Sequence, residues 1–372
     1  MMAKLLHHPP GQSGGQNSPN PGEADGTVSA LCCVVIVNWR RPELTLSCVE
    51  SLLRSTCTEF RVIVCDNGSG DNSVSRFLHW AQQQPPGVAA RTASVAESTP
   101  ADTEPGTRVN WIVSTRNLGF AGGANLGLAW GLRQGGCSHF WLLNNDSIVD
   151  ADALGALLLH MRQRPRVGIC GARIVYLGDR QRIQAYGGAR FNRWTGRGFH
   201  LGHGADVDLA HDAGQVVRRM SYVSGASMFV SRRFVETVGL LEEGYFLFFE
   251  ELDWVRRAAG RFDLGYAPDA IVWHHEGATI GSSSEPGRSS ELSDFFMCRS
   301  LLRFTLRFHP VALPSVWLVA FLRSLHLGLS GRRRRMLTQW QALFGLVRCA
   351  PDVWVSRHLA ALGPSDASDG RR

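Results

Sequence analysis

Apolar runs alternate with stretches of helical periodicity through the first part of the chain. The spacing behind Pro42, a residue suited to the first turn of a helix, predicts a helix between the first two runs. Strand, helix and strand of these lengths form a parallel pair with a right-handed crossover. The pattern therefore predicts an α/β fold with a mostly parallel central sheet and flanking helices. The predicted strands are residues 31–37, 60–65, 109–113 and 140–143.

Polar side chains follow the apolar runs abruptly. Asn38 follows the first run, Asp66 and Asn67 the second, and Asn145 and Asp146 lie just beyond the fourth. In open α/β sheets, ligands bind beyond the carboxyl ends of the strands. Asp146 is therefore a candidate ligand of a divalent metal, although a simple Asn/Asp turn at the end of a strand is the alternative.

The pattern changes after Val167, where strands become alternating and rich in glycine. This favours an antiparallel or mixed sheet with long loops over residues 183–198. Residues 220–230 form a predicted strand that a glycine interrupts, and residues 234–238 a short helix. A further helix begins at Glu250, and an apolar run over residues 271–275 closes this part.

Two segments have little to bury. Residues 1–27 are rich in Gly, Pro, Ser, Asn and Gln, which predicts a disordered tail. Residues 85–108 lack periodicity over most of their length, which predicts a flexible surface insertion.

The last part, residues 286–372, is helical and basic. From Phe296 onward it has 12 Arg and 3 Asp, a balance of +9 in a chain whose formal net charge is +7. An apolar stretch over residues 310–330 is followed at once by four arginines, 332–335. This arrangement suits an interfacial amphipathic anchor on an anionic membrane, or equally a helix packed on the domain beside a solvated arginine run.

Composition and the absence of certain motifs exclude several classes of protein. The nine cysteines include no Cys-x-x-Cys pair, and most lie in apolar runs, so we interpret them as reduced core residues. No phosphate-binding loop motif occurs, and no Gly-x-Gly-x-x-Gly turn follows the first strand. No charged and then apolar leader opens the chain, so we expect a cytoplasmic protein.

Seven short runs in order, over residues 31–280, resemble the family 2 inverting glycosyltransferases of the rhamnosyltransferase-like branch. The resemblance implies a GT-A fold over residues 28–285, a nucleotide-sugar donor (dTDP- or UDP-linked), and a glycan or lipid-linked glycan acceptor. It implies no nucleic acid partner. The runs are 35–38, 64–69, 117–123, 143–146, 224–226, 249–253, and His274 with Gly277.

The resemblance also assigns roles to residues. Asp66 corresponds to the acid that recognises the base, and a carboxylate there can accept the imide N–H of a pyrimidine. Asn117, Gly122 and Gly123 correspond to the donor-contacting loop, although tight helix packing would explain the glycines equally well. The implied donor-binding residues are Asn38, Asp66, Asn67, Asn117, Gly122, Gly123 and Asn145.

A divalent metal, Mg²⁺ or Mn²⁺, is implied to neutralise the diphosphate of the donor. Asp146 corresponds to the principal ligand and His274 to a late metal-contacting histidine, with His275 as the competing candidate. Asn144 stands where the family usually has an acid, so we expect a weak site that the donor helps to complete.

The family places an acidic pair at a helix start, and its second member is the base. Glu251 takes that place here, with Asp253 as the alternative base. The resemblance thus implies a metal-dependent inverting glycosyltransferase of cell-surface glycan synthesis, with L-rhamnose as the leading candidate for the sugar. A nucleotidyltransferase would need a lysine-bearing nucleotide loop, whereas Lys4 is the only lysine; a non-catalytic nucleotide- or glycan-binding relative is the other alternative.

Overall fold

The computed structural model describes residues 31–85, 88, 90–94, 107–133, 136–277, 289–347 and 349–366. The predicted tail over residues 1–27 lies outside these ranges, as do residues 95–106 of the predicted insertion. The described chain is a mixed α/β structure with a mostly parallel central sheet, flanking helices and C-terminal helices, which confirms the predicted fold class.

Strands and helices alternate up to α4, except that β4 follows β3 and β6 follows β5 directly. The strands are β1 (Leu31–Asn38), β2 (Phe60–Asn67), β3 (Ala90–Ser94), β4 (Val109–Ser114), β5 (Cys137–Asn144), β6 (Ser147–Val149), β7 (Val167–Tyr176), β8 (Ile183–Tyr186), β9 (Gly188–Asn192), β10 (Arg197–His200), β11 (Tyr222–Val223), β12 (Ser227–Ser231) and β13 (Asp263–His274). The helices are α1 (Pro42–Leu53), α2 (Ser73–Gln82), α3 (Gly119–Arg133), α4 (Ala153–Gln163), α5 (Ala213–Arg219), α6 (Arg232–Val238), α7 (Glu250–Ala258), α8 (Glu291–Phe308), α9 (Leu313–Leu329), α10 (Arg333–Leu343) and α11 (Pro351–Asp366).

The central sheet has the order β3-β4-β2-β1-β5-β12-β7-β13-β6, and β8 pairs with β7. Pairing is parallel from β3 to β5 and between β7 and β13, whereas β12 is antiparallel to both of its neighbours. A smaller sheet has the order β10-β9-β11. The parallel half therefore ends its strands along one edge, where the polar residues that follow β1, β2 and β5 meet.

Side chains of β1 alternate between two apolar layers. Cys33 and Val35 belong to the layer that α3, α6 and α7 cover. Val34 and Ile36 belong to the layer under α1, α2 and α4. Burial on both faces explains why the strand is a continuous apolar run and shows no alternation with polar residues.

One part of the predicted insertion is ordered. Residues Ala90–Ser94 form β3, which pairs in parallel with β4 at the edge of the sheet. The prediction of a flexible insertion over residues 85–108 is therefore wrong for these five residues. Their weakly patterned sequence gave no signal of a strand, and pairing with the preformed edge of β4 supplies the backbone hydrogen bonds that such a strand requires.

The C-terminal helices pack on the domain. Phe296 and Leu301 of α8 lie in apolar clusters with residues from the loop before α7 and from the smaller sheet. Cys298, Ala320 and Leu343 then join α8, α9 and α10. The helix-packing interpretation of this region is thus correct for the inner face of α9.

The outer face of α9 remains apolar. Among the described residues, one helical stretch, Pro310–Leu329, is long and apolar enough to cross a membrane by length and composition, with a mean hydropathy of 1.4. Exposed apolar side chains recur along it at spacings of three, four and seven, which is one helix face. They are Val311, Leu318, Leu322, Leu325 and Leu329.

Candidate active site

A cavity of about 240 Å³ lies beyond the carboxyl ends of β1, β2 and β5. It also receives residues from β8, β10, β13, the loop before α7, and helices α8 and α11. The predicted residues that line it are Asn67, Asn117, Asn145, Asp146, Glu251 and His274. Six polar positions that are widely separated in the sequence therefore face one space.

Asp146 and His274 are brought together by a short antiparallel pair. Strand β6 begins directly after Asp146 and pairs with the end of β13, with Ser147 opposite His274. The two side chains are almost fully buried, and His274 Nε2 lies 3.1 Å from Asp146 Oδ1. His275 donates its backbone N–H to the Asp146 carbonyl, while its side chain is exposed and does not line the cavity. The geometry thus favours His274 over His275.

The hydrogen bonds of His274 set which ring nitrogen carries the proton. Nδ1 lies 2.9 Å from the Gln184 amide oxygen, which can only accept, so Nδ1 is the donor. In the neutral ring, Nε2 then has a lone pair, which lies 3.3 Å from Asn144 Nδ2 and 3.1 Å from Asp146 Oδ1, a buried oxygen with no hydrogen-bond partner among the described residues. Two acceptors that face each other without a proton between them fit a divalent cation.

The protein alone supplies few ligands. No group of three or more His, Cys, Asp or Glu side chains in the described part of the chain could hold a metal. Asp146 and His274 would hold the ion, and Asn144 Nδ2, which lies 3.3 Å from His274 Nε2, borders the pair. The remaining ligands must come from water or from a bound diphosphate, as hard divalent ions bound by few carboxylates require.

Asp66 lies in a buried network next to the cavity. Asn38 Nδ2 and Ser69 Oγ donate to Asp66 Oδ1 at 2.7 and 2.5 Å, and Thr45 Oγ1 donates to Asn38 Oδ1 at 2.7 Å. Burial raises the pKa of Asp66, and the bonds from Ser69 and Asn38 oppose that rise. Asp66 and Asn38, which were predicted to bind the donor, do not line the cavity. They lie behind the residues that do line it. Asn145, which does line it, donates to Thr45 Oγ1 at 3.0 Å.

Asn67 shapes the loop that enters α3. Its Nδ2 donates to Asn117 Oδ1 and to the Gly119 carbonyl, and its Oδ1 accepts from the Leu118 N–H. Gly119 has a φ of +70°, the region that favours glycine, and its backbone abuts Phe246. Phe120 donates its N–H to the Phe246 carbonyl at 2.7 Å. The loop after β4 is therefore fixed against the segment that precedes α7.

That segment is strained. Phe246, Phe248 and Phe249 all have φ near +70°, a conformation that bulky residues avoid. Such strain persists only where the surroundings enforce it, and it concentrates at functional sites. It aims the start of α7, with Glu250 and Glu251, into the cavity.

The carboxylates of the acidic pair at the start of α7 are each at least partly buried. Glu250 and Glu251 each have one carboxylate oxygen that is buried and has no hydrogen-bond partner among the described residues. Burial raises the pKa of Glu251 to about 7. Burial and the neighbouring Glu251 also raise the pKa of Glu250. A carboxylate whose pKa is near neutrality is suited to accept a proton from an alcohol in the transition state.

Helix α8 holds the strained segment in place. Ser300 Oγ lies 3.1 Å from the Tyr245 carbonyl and 2.7 Å from the Leu247 carbonyl, and Arg299 donates to the Gly244 and Tyr245 carbonyls. The C-terminal helices are thus part of the site.

Replacing Ser300 by alanine is expected to lower kcat by about tenfold while the KM for the donor stays the same, because loss of one buried hydrogen bond, about 1–1.5 kcal/mol, lets the strained segment relax. Steady-state kinetics test this. Ser324→Ala is the control, since Ser324 is a buried serine on α9 that donates to the Phe321 carbonyl and accepts from Trp340 Nε1. Equal losses of kcat in the two variants would show that Ser300 acts only through stability.

Asp253 does not join the cavity. Its side chain is fully buried, Arg257 Nε donates to Oδ1, and Arg307 Nη1 and Tyr245 Oη donate to Oδ2 at 2.8 and 3.1 Å. Both oxygens are therefore occupied by partners that tie α7 to α8. This geometry favours Glu251 over Asp253 as the base, because Asp253 does not line the cavity and both of its oxygens accept hydrogen bonds from the protein.

Gly122 and Gly123 pack inside the protein. A Cβ on Gly123 would lie 2.8 Å from Val37 Cγ1, and one on Gly122 would lie 2.6 Å from Leu118 Cβ. Neither glycine lines the cavity. These contacts favour the close-packing alternative for the two glycines over direct donor contact.

Several cavity residues carry no signal in the sequence. Gln184, on the short strand β8, orients His274 through a hydrogen bond. Phe246 and Phe248 belong to the segment whose backbone lies in the left-handed region. Leu292 and Val355 come from α8 and α11, far along the chain. His200 also lines the cavity, and burial together with His203 and His274 lowers its pKa to about 4, so it is neutral at pH 7. In the sequence, the only feature that pointed to His200 was its place after a glycine-rich segment.

Comparison with known proteins gives one family. The profile of the family described as "Glycosyltransferase like family 2" matches residues 30–285. No curated protein matches the chain.

Solved structures with similar folds were also found. PcManGT, a mannosyltransferase of Pyrobaculum calidifontis solved with GDP-Man and Mn²⁺, is 12% identical over 89% of this chain and 79% of its own, with a TM-score of 0.46. TarS 1–349 of S. aureus is 10% identical over 85% of this chain and 92% of its own, with a TM-score of 0.44. GalNAc-T7, solved with UDP, GalNAc and Mn²⁺, is 13% identical over 92% of this chain, which spans 59% of that protein, with a TM-score of 0.55. The last similarity confirms the GT-A fold.

Proposed function

Because the chain belongs to the glycosyltransferase-like family 2, we propose that it transfers a sugar from a nucleotide-diphosphate donor to a hydroxyl group, with inversion at the anomeric carbon. One observation carries the proposal: Asp146 with His274, and Glu250 with Glu251, face the same cavity, and each of the three carboxylates has a buried oxygen with no hydrogen-bond partner among the described residues. The pair of Asp146 and His274 is suited to hold a divalent cation. The pair of Glu250 and Glu251 is suited to accept a proton. A sugar transfer needs both.

The residues divide the reaction between them. A divalent ion held by Asp146 and His274 would offset the negative charge that develops on the departing diphosphate. Glu251 would accept the proton of the acceptor hydroxyl as its oxygen attacks the anomeric carbon, and the bond from that carbon to the diphosphate oxygen breaks. The loop around Asn67 and Asn117 would border the nucleotide. GalNAc-T7, which shares the fold, was solved with UDP and Mn²⁺.

The finer parts of the proposal rest on the order of the sequence motifs. They are a dTDP- or UDP-linked donor with L-rhamnose as the leading sugar, Mg²⁺ or Mn²⁺ as the ion, and a glycan or lipid-linked glycan acceptor of cell-surface synthesis. A cytoplasmic location, peripheral on a membrane, fits the exposed apolar face of α9 and the exposed Arg332, Arg333 and Arg334 that follow it.

A panel of nucleotide sugars tests the proposal directly. The purified protein with Mn²⁺ is expected to hydrolyse or transfer from one donor and to release a nucleoside diphosphate. Release of inorganic pyrophosphate would instead identify a nucleotidyltransferase. Tight nucleotide binding without any turnover would identify a non-catalytic relative.

The acidity of Glu251 predicts a pH dependence. Its raised pKa, about 7, means that the proton-accepting carboxylate gains population as pH rises through neutrality. We expect kcat/KM to rise with pH up to about 7 and then to level off. A rate that is constant from pH 5 to 8 in the wild-type protein, with metal binding unchanged, would exclude a base of this kind.

A further inference from the structure

A hydrogen bond joins the two ends of the strained segment. Tyr245 lies directly before this segment, and Asp253 lies in the first turn of α7, two residues after Glu251. Tyr245 Oη donates to Asp253 Oδ2 at 3.1 Å, and the Asp253 N–H donates to the Phe249 carbonyl at 2.9 Å. Burial and the adjacent Asp253 raise the pKa of Tyr245, so its hydroxyl keeps its proton. Residues 245–253 are therefore closed into a loop, which we call the base loop.

The carboxylate that closes the base loop is itself fixed in place. Asp253 is fully buried, Arg257 Nε donates to its Oδ1, and Arg307 Nη1 donates to its Oδ2 at 2.8 Å. Arg257 also donates to the Val238 and Leu240 carbonyls, each at 2.7 Å. A buried carboxylate with two guanidinium partners resists displacement, because moving it would leave a charge unpaired away from water. Asp253 thus joins the base loop to α8 and to the end of α6.

Helix α8 also holds the other end of the base loop. Arg307 Nη1 donates to Glu242 Oε2 at 3.0 Å. Glu242 Oε1 accepts from the Gly244 N–H at 3.1 Å and lies 3.5 Å from Arg303 Nη2. Gly244 directly precedes Tyr245. The guanidinium group of Arg307 therefore contacts carboxylates on both sides of the strained segment.

The base loop carries Glu251 into the cavity. Glu251 Oε2 is buried and has no hydrogen-bond partner among the described residues, so the position of this oxygen depends on the backbone at the start of α7. A general base must lie about 2.6–3.2 Å from the group that it deprotonates, and a misplacement of about 1 Å can lower a rate by about 10²-fold. A backbone in an unfavourable conformation keeps its position only while the surrounding contacts enforce it.

We propose that Asp253 is a positioning residue, whose bonds to Tyr245 and Arg307 keep the base loop closed and hold the Glu251 carboxylate where it meets the acceptor hydroxyl. The proposal rests on the function proposed above, since it requires Glu251 to be the base. In this role Asp253 touches no substrate, in agreement with its place outside the cavity lining. Its loss should lower the rate through Glu251 and leave the proposed metal ligands, Asp146 and His274, unaffected.

Amide hydrogen exchange in the full chain tests the closure of the base loop without any need for turnover. Tyr245→Phe removes one hydroxyl group and Asp253→Asn removes the charge, and each is expected to speed exchange in residues 246–252 by about tenfold or more. The control is Asp294→Asn, at a buried carboxylate of α8 that pairs with Arg335 of α10. It should leave exchange in residues 246–252 within about twofold of wild type. Equal acceleration in Asp294→Asn and Asp253→Asn would overturn the proposal, because general loosening would then explain it.

Kinetics decide whether the closure acts through the base. Asp253→Asn is expected to lower kcat by about 10–100-fold, with the affinity for a nucleoside diphosphate and Mn²⁺ within about twofold of wild type. In a Glu251→Gln background the same substitution should have no further effect on kcat, because the group that it positions is already lost. Losses that multiply in the double variant would overturn the positioning role, and so would an unchanged kcat in Asp253→Asn.

A second variant gives the same test if Asp253→Asn does not fold. Arg307→Gln removes a side chain that is 39% exposed and leaves Asp253 with Arg257 and Tyr245 as partners. It is expected to lower kcat by about three- to tenfold, again with no further effect in the Glu251→Gln background. If the wild-type protein turns over no nucleotide sugar, the proposed function fails and the positioning role fails with it, whereas hydrogen exchange still shows whether Asp253 closes the base loop.

Discussion

Glu251→Gln is expected to lower kcat by about 10²–10⁴-fold, the usual contribution of a general base. The amide has nearly the same shape and fills the same space at the start of α7, but it cannot take a proton from the acceptor. Donor binding should stay within about twofold of wild type, because Glu251 is not among the proposed metal ligands. Single-turnover kinetics and nucleotide calorimetry measure the two effects separately.

Two further variants make that result specific. Glu43→Gln removes an exposed carboxylate of α1 that pairs with Arg76, and it should leave kcat unchanged. Glu250→Gln removes the buried neighbour whose charge bears on Glu251. If Glu250→Gln abolished transfer and Glu251→Gln did not, the base would be Glu250.

Asp146→Ala is expected to abolish the metal-dependent part of nucleotide binding. Asp146 Oδ1 is a buried oxygen without a hydrogen-bond partner among the described residues, and it lies 3.1 Å from His274 Nε2. Without the carboxylate, one imidazole nitrogen remains, which is too weak a ligand to hold Mg²⁺ or Mn²⁺ beside a diphosphate. Calorimetry of a nucleoside diphosphate with and without Mn²⁺ should show a metal-dependent gain only in the wild-type protein.

Thermal unfolding gives a second readout of the same site. Metal and nucleotide at about 100 times their dissociation constant should stabilise the wild-type protein by about 2.7 kcal/mol, and Asp146→Ala should lose this gain. Asp208→Ala, at an exposed loop position, is the matched control. An unchanged response of Asp146→Ala to Mn²⁺ would place the ion elsewhere.

The polar ends of the apolar runs were the most informative part of the sequence for this site. Runs buried on both faces predicted parallel strands, and Asp146 and Asn67 follow such strands in a position that chain topology alone dictates. Those two residues could therefore be placed at one edge of the sheet before any contact was known. His274 entered only through its order among the motifs.

Two of the predicted site residues have partners in the structure that the sequence does not show. Gly123 and Asp253 have residue types that suit donor binding and catalysis, but Gly123 packs on Val37 and Asp253 is held by Arg257 and Arg307. The sequence contains no sign of these partners, because they come from distant elements. The same holds for Gln184, which fixes the proton of His274 from 90 residues away.

By itself, the sequence determined the α/β class, the parallel strands and the edge of the sheet at which the site lies, because strand burial and chain connectivity are local properties. Only the tertiary structure decided which acids face the cavity. The tertiary structure also holds the backbone of Phe246, Phe248 and Phe249 in the left-handed region, and it packs α8 against that segment. Those outcomes depend on contacts between segments far apart in the chain, and their energies appear only when the segments meet.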